Sequence, residues 1–172
     1  MSDRNQDYFL PKEWHGKCVT LTNYRGGTAL DVAGGSSNNG TPVHGWEVNG
    51  SRAQQWVISK VNAHDVWSPW TLQNVASNTF LFNRDGLSEA NVDMWCWSRD
   101  YMSHGIADWF LITQERDQND PGSNEPIIML QNAASSMYVD LWGGLSNNGT
   151  RISGFYRDNL NPNQLWQLRL VR

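Results

Sequence analysis

Charge is scarce in this chain. Asp, Glu, Lys and Arg make up 17% of its 172 residues, below the ~25% of an average globular domain. Their place is taken by 15 glycines, by Asn and Ser, and by ten tryptophans. Strong helix formers are correspondingly thin, which excludes long helices and coiled coils. Lys and Arg never occur side by side and the net charge is −4, which argues against nucleic acid or an anionic membrane surface as the main partner. No apolar run approaches the ~18–20 residues of a membrane span, so no membrane insertion is expected. The two cysteines, Cys18 and Cys96, cannot build a disulfide framework. Cys96 lies in a Trp95-Cys96-Trp97 run that reads as a strand, and both thiols are expected reduced.

The N-terminus, MSDRNQDYFLPKEW, lacks the apolar centre of a secretory signal. The expectation is a cytoplasmic protein, one released without a signal peptide, or a mature form. Triplets at Asn39, Asn49 and Asn148 match the glycosylation acceptor pattern, which matters only on a secretory route. The length suits one domain with enough buried surface to need no metal or disulfide staple.

The strongest feature present is internal repetition. Residues 30–46, LDVAGGSSNNGTPVHGW, align without a gap to residues 139–155, VDLWGGLSNNGTRISGF, with nine of seventeen positions identical. Eight residues before Asp31 stands Asn23, closing Leu21-Thr22-Asn23. Eight before Asp140 stands Asn132, closing Leu130-Gln131-Asn132. Downstream come Gln54-Gln55-Trp56 and Gln164-Leu165-Trp166. A degraded copy lies between: Leu72-Gln73-Asn74, then LFNRDGLSEANVDMWCW at 81–97, then Ala107-Asp108-Trp109. The expected organisation is an N-terminal tail over residues 1–15 and one domain over 16–172, with repeats of about 16–62, 63–113 and 124–172. The polar stretch 113–126 separates the last two.

Inside each unit the apolar period is two. Leu30 and Val32 flank Asp31; Val43 alternates with His44 and Trp46; Trp166, Leu168 and Leu170 alternate with Gln167 and Arg169. This is half-buried strand between Gly- and Asn-rich turns. Three short-stranded units, none able to bury its apolar face alone, should close around one core. An all-β barrel with pseudo-three-fold symmetry follows.

Three tandem units, each with Gln-x-Trp or its remnant near the end, resemble the ricin-B-type lectins, which are β-trefoils. The turn GGSSNNGTPVHGW is similar to that of the mushroom agglutinins in that family, and the resemblance covers 16–172. It implies a multivalent lectin and agglutinin for terminal galactose or N-acetylgalactosamine on glycoproteins or glycolipids outside the cell. It implies no metal, no cofactor and no catalysis. A homodimer is one possible assembly.

The residues fit that chemistry on their own terms. A carboxylate accepts from two neighbouring sugar hydroxyls, and an aromatic ring covers the apolar face of the sugar. Strand parity turns Asp31, His44 and Trp46 away from Leu30, Val32 and Val43, and does the same for Asp140, Ser153 and Phe155. A carboxylate exposed on this surface is the expectation; the bland alternative has the Asp residues stabilising turns and the rings packed in the core. The resemblance adds Asn163, just before Gln164, as a sugar ligand; Ala53 stands there in the first unit, where His44 could substitute. It also gives Gln54 and Gln164 a mainly structural part, orienting the Asp. Trp56, Trp109 and Trp166 are expected in the core.

In the second unit Phe82 occupies the Asp position and Ala107 replaces the motif Gln, so a ricin-type site is expected lost there. A different pocket around Asp93, Trp95 and Trp97 is the remaining option. Enzymatic readings find little: His15, His44, His64 and His104 are scattered, and each intact repeat offers one carboxylate where glycoside hydrolysis needs two. The alternatives are a β-trefoil protease inhibitor, because fold does not fix function, and a carbohydrate-targeting module of a larger toxin or glycosidase.

Overall fold

A computed structural model describes residues 9–101, 105–114, 125–158 and 161–172. Residues 1–8 of the expected tail, His104 and most of the 113–126 spacer lie outside the described residues. Regular structure is β-strand punctuated by single 3-10 turns. The twelve strands are β1 (Lys17–Asn23), β2 (Ala29–Val32), β3 (Thr41–Trp46), β4 (Trp56–Lys60), β5 (Trp70–Asn74), β6 (Phe80–Asn83), β7 (Val92–Trp97), β8 (Trp109–Thr113), β9 (Ile127–Asn132), β10 (Tyr138–Leu141), β11 (Thr150–Phe155) and β12 (Trp166–Leu170).

Antiparallel pairing runs β1–β4–β5–β8–β9–β12 and returns from β12 to β1, a closed six-stranded barrel. The hairpins β2–β3, β6–β7 and β10–β11 cap it, and β3, β7 and β11 pair with one another across the pseudo-three-fold axis. Four strands per unit, two in the barrel and two in the cap, make the β-trefoil. Closure removes the exposed sheet edges that a lone unit would present.

The period-two pattern puts Val19 and Leu21 of β1, Ile58 of β4, Leu72 of β5, Leu111 of β8 and Leu168 of β12 fully inside. Trp56, Trp109 and Trp166 are completely buried, as expected. Each donates its indole N–H to one carbonyl on the neighbouring hairpin: Leu30 at 3.0 Å, Leu81 at 2.9 Å and Val139 at 3.1 Å. A buried indole needs such an acceptor. The three acceptors stand immediately before Asp31, Phe82 and Asp140.

Two further sets of bonds repeat around the axis. Asn23, Asn74 and Asn132 are buried at strand ends. Each accepts two backbone N–H groups of its own turn and donates across to the carbonyl of residue 163, 53 or 106. The duplicated Ser-Asn-Asn-Gly-Thr turn has its own cause. Thr41 and Thr150 hydroxyls donate back to Asn38 and Asn147, with Gly40 and Gly149 at φ +84°, a region L-residues with a Cβ seldom enter. Asn39 and Asn148 then accept the N–H of Ser98 and Glu47 on the next hairpin, both at 2.7 Å.

Residues 9–15, within the segment read from sequence as a tail or a strap across the surface, lie docked on the barrel. Phe9 bridges Ile112, Leu10 is buried with its N–H on Leu111, and His15 Nδ1 accepts the Lys60 N–H. Both cysteines are free, and burial pushes the Cys96 thiol up to about 12.

Trp166→Ala should cost ~3–5 kcal/mol of stability through the cavity it opens. Trp142→Ala, at a half-exposed ring, should change stability by no more than ~0.5 kcal/mol. Urea denaturation of both variants checks this; equal losses would mean that the indole anchors are not what closes the barrel.

Candidate functional site

The three cap hairpins present equivalent positions in the same register. Asp31 of β2 faces His44 of β3, Phe82 of β6 faces Trp95 of β7, and Asp140 of β10 faces Ser153 of β11. Two residues further along the return strand stand Trp46, Trp97 and Phe155.

In the first unit Asp31, His44 and Trp46 line one cleft of about 610 Å³. His44 Nε2 lies 2.8 Å from Asp31 Oδ1, and because a carboxylate only accepts, the imidazole supplies the proton. The His44 ring stacks on Trp46, with centroids 5.2 Å apart and planes 28° apart. Asp31 is only 5% exposed, which corrects the expectation of a carboxylate standing free on the surface. It forms the cleft floor, where water competes less for its oxygens and hydrogen bonds gain strength. Gln54 is buried away from it, bridging the Glu47 carbonyl and the Asn49 N–H, so it shapes the rim.

In the third unit Asp140 is 7% exposed and accepts from Gln164 Nε2 at 3.1 Å. The same amide group donates to the Tyr156 carbonyl, while Gln164 Oε1 accepts from the Asp158 N–H. Gln164 thus ties the Asp140 carboxylate to the backbone of residues 156 and 158. Ser153 is buried opposite Asp140, and Phe155 is 36% exposed beside Tyr156. Asn163 joins the same site. Its Oδ1 lies so close to the Gly144 backbone that a β-carbon at Gly144 would fall 2.4 Å from it. Gly144 also sits at φ +63°, so the turn requires glycine twice over.

The second unit holds aromatic rings where the others hold a carboxylate. Phe82 is buried and lies 6.2 Å from Trp95 and 5.5 Å from Trp97, and the Arg84 guanidinium sits 5.0 Å over Trp95. Asp93 is taken by Arg151, whose Nε lies 2.5 Å away. The unit's own rings thus fill the space that a ligand would need, and an arginine of the third unit takes the acceptor.

Sequence reasoning missed the residues that arrive from a neighbouring unit. Ala76 of the second unit lines the first cleft with Asn49 and Arg52, and Arg25 of the first unit touches Gly144 in the third. The repeat alignment carried the signal, because Arg25, Ala76 and Ala134 each stand two residues after a buried turn asparagine.

The ricin-type β-trefoil lectin domain-like model matches residues 4–95, over half of the chain, and the protein belongs to that family. No curated protein matches its sequence. The Rhizoctonia solani agglutinin superposes with a TM-score of 0.71 at 22% identity, over 92% of this chain and 95% of that one. A Macrolepiota procera ricin B-like lectin in complex with lactose gives 0.69 at 19%, over 90% and 95%. A Clostridium thermocellum exo-β-1,3-galactanase gives 0.74 at 23%, over 90% of this chain but 30% of the enzyme. These likenesses carry the fold.

Burial raises the Asp140 carboxyl above its ordinary 3.8; the Gln164 hydrogen bond opposes the rise, and the like charge of Asp158 adds to it. The folded state therefore holds this proton more tightly than the unfolded chain does. Its contribution to stability falls as pH rises from 3.8 through the raised value. Asp140→Asn, neutral and of the same shape, should melt no lower than wild type at pH 7, and any advantage should vanish at and below pH 3.8. Melting curves at both pH values check it. A variant clearly less stable at pH 7 would show that the charge itself holds the turn.

Proposed function

We propose that this protein is a metal-independent lectin binding terminal galactose or N-acetylgalactosamine through its first and third units, and that it agglutinates by valency. One observation carries the reading. Twice in the same register, a carboxylate held by a buried amide or imidazole forms the floor of a site whose wall is an aromatic ring two residues beyond its strand partner. The carboxylate accepts from adjacent sugar hydroxyls, the ring covers the apolar face, and His44 or Asn163 closes the third side. The lactose bound by the Macrolepiota procera lectin supports a galactoside over other sugars.

Single sites for one monosaccharide are weak, because a small polar ligand sheds hydration to gain a few hydrogen bonds. Two sites let one molecule engage two glycans of one glycan-rich surface, where the second contact is effectively intramolecular, and sites pointing apart let it bridge two surfaces. The ligands would be extracellular glycans. The galactanase, of which the matching part is 30%, favours a second reading as a targeting module of a larger protein, which would use the same two sites.

Calorimetry with lactose should give a stoichiometry near two per chain, unaffected by EDTA. Asp140→Ala should remove one site, a loss of ~1.5–3 kcal/mol in binding there. The Asp31→Ala/Asp140→Ala double variant should neither bind nor agglutinate red cells. Residual binding in a folded double variant, or dependence on a divalent cation, would overturn the reading.

A further inference from the structure

Asn-Gly pairs stand at 39–40, 49–50 and 148–149. In such a pair the glycine nitrogen can attack the asparagine side-chain amide carbon, because glycine has no β-carbon to hinder the approach. The fold treats the three pairs differently. Gly40 and Gly149 donate their N–H groups to the carbonyls of Cys96 and Gly45, at 3.0 and 2.9 Å. The Asn39 and Asn148 side-chain oxygens accept the N–H groups of Ser98 and Glu47, both at 2.7 Å. At these two pairs both reacting groups are tied to a neighbouring hairpin, so closing the ring breaks two hydrogen bonds.

Asn49 and Gly50 are exposed. Among the described residues the Gly50 N–H has no acceptor, and a β-carbon at Gly50 would meet nothing within 4 Å. Asn49 Oδ1 accepts the Ser51 N–H at 2.9 Å, which turns the amide back over the backbone that follows it. The segment itself is held, with the Asn49 N–H on Gln54 Oε1 and the Gly50 carbonyl on Gln55 Nε2. Asn49 also lines the first cleft beside Asp31. Its counterpart in the third unit is Asp158, whose N–H lies on Gln164 Oε1 as that of Asn49 lies on Gln54 Oε1. The third unit thus already carries a carboxylate at this place, and its charge is felt by Asp140.

We infer that Asn49 is a modification site, converted without an enzyme to aspartate and isoaspartate, which sets an acid at the rim of the first cleft where the third unit has Asp158. The Gly50 nitrogen gives up its proton and bonds to Asn49 Cγ. The bond from Cγ to the side-chain nitrogen breaks, and ammonia leaves, having taken up a proton. Water then opens the cyclic imide at either carbonyl. The sum is amide and water to carboxylate and ammonium, with no change of oxidation state.

The experiment incubates the folded full chain, the same chain in urea and the folded Asn49→Gln variant in warm, mildly alkaline buffer, followed by anion exchange and peptide mapping. In the folded chain Asn49 should convert roughly tenfold or more faster than Asn39 and Asn148, the factor that two broken hydrogen bonds carry. The product should elute as a species one charge more negative than the starting −4. In urea the three pairs should convert at similar rates, and Asn49→Gln should lack the early acidic species. Equal rates at the three pairs in the folded chain overturn the inference. So does the same acidic species forming as fast in Asn49→Gln. A preference for Asn49 that persists in urea also overturns it, since the sequence neighbours and not the fold would then select the site.

Discussion

Three indole N–H groups hold this molecule in register. Trp56, Trp109 and Trp166 lie fully inside the barrel, and each reaches one carbonyl of a cap hairpin, those of Leu30, Leu81 and Val139. A buried indole left without an acceptor would cost ~1–3 kcal/mol, so the hairpin cannot slide along its strand. The next residue after each acceptor is the one that faces the site. Packing of the core and placement of the two cap carboxylates are therefore a single constraint: whatever holds the tryptophan also aims Asp31 and Asp140.

Because that constraint involves only indole and backbone, the residue being aimed is free to change. The second unit keeps the indole anchor, its own buried turn asparagine Asn74 and the bond from Asn132 of the third unit to the Ile106 carbonyl, yet presents Phe82. The exchange converts a polar floor into an aromatic cluster with Trp95 and Trp97 and leaves the fold intact. In the third unit the opposite compromise holds. Asp140 is buried enough for its ionised form to be disfavoured, a local cost tolerated where a strong acceptor is useful.

The trefoil was legible in the sequence because its causes are periodic. Alternation marked the strands, the spacing of eight from Asn23, Asn74 and Asn132 marked the hairpins, and Gln-x-Trp marked the anchors. Strand parity also placed Asp31, His44 and Trp46 on one surface. What parity could not supply is depth. The side of a strand on which Asp31 lies is a local property, but its burial depends on how the Gly34–Gly35 turn and Ala76 of the next unit close over it. Arg25 was missed for the same reason, since its contact with Gly144 spans the first and third units. The identical Ser-Asn-Asn-Gly-Thr turns point the other way. They stand beside the candidate site residues, yet their side chains lock adjacent hairpins through Asn39 and Asn148.

The central claim is that one molecule offers sugar two sites, each at an indole-anchored carboxylate, and none at the second hairpin. Titration of the isotope-labelled chain with lactose, followed by tryptophan indole and backbone amide resonances, tests it directly. The Trp46 indole signal and the amides of Asp140 and Phe155 should shift and saturate together, while the Trp95 and Trp97 indoles stay in place. Saturable shifts at Trp95 and Trp97 with Trp46 and Phe155 unmoved would contradict it.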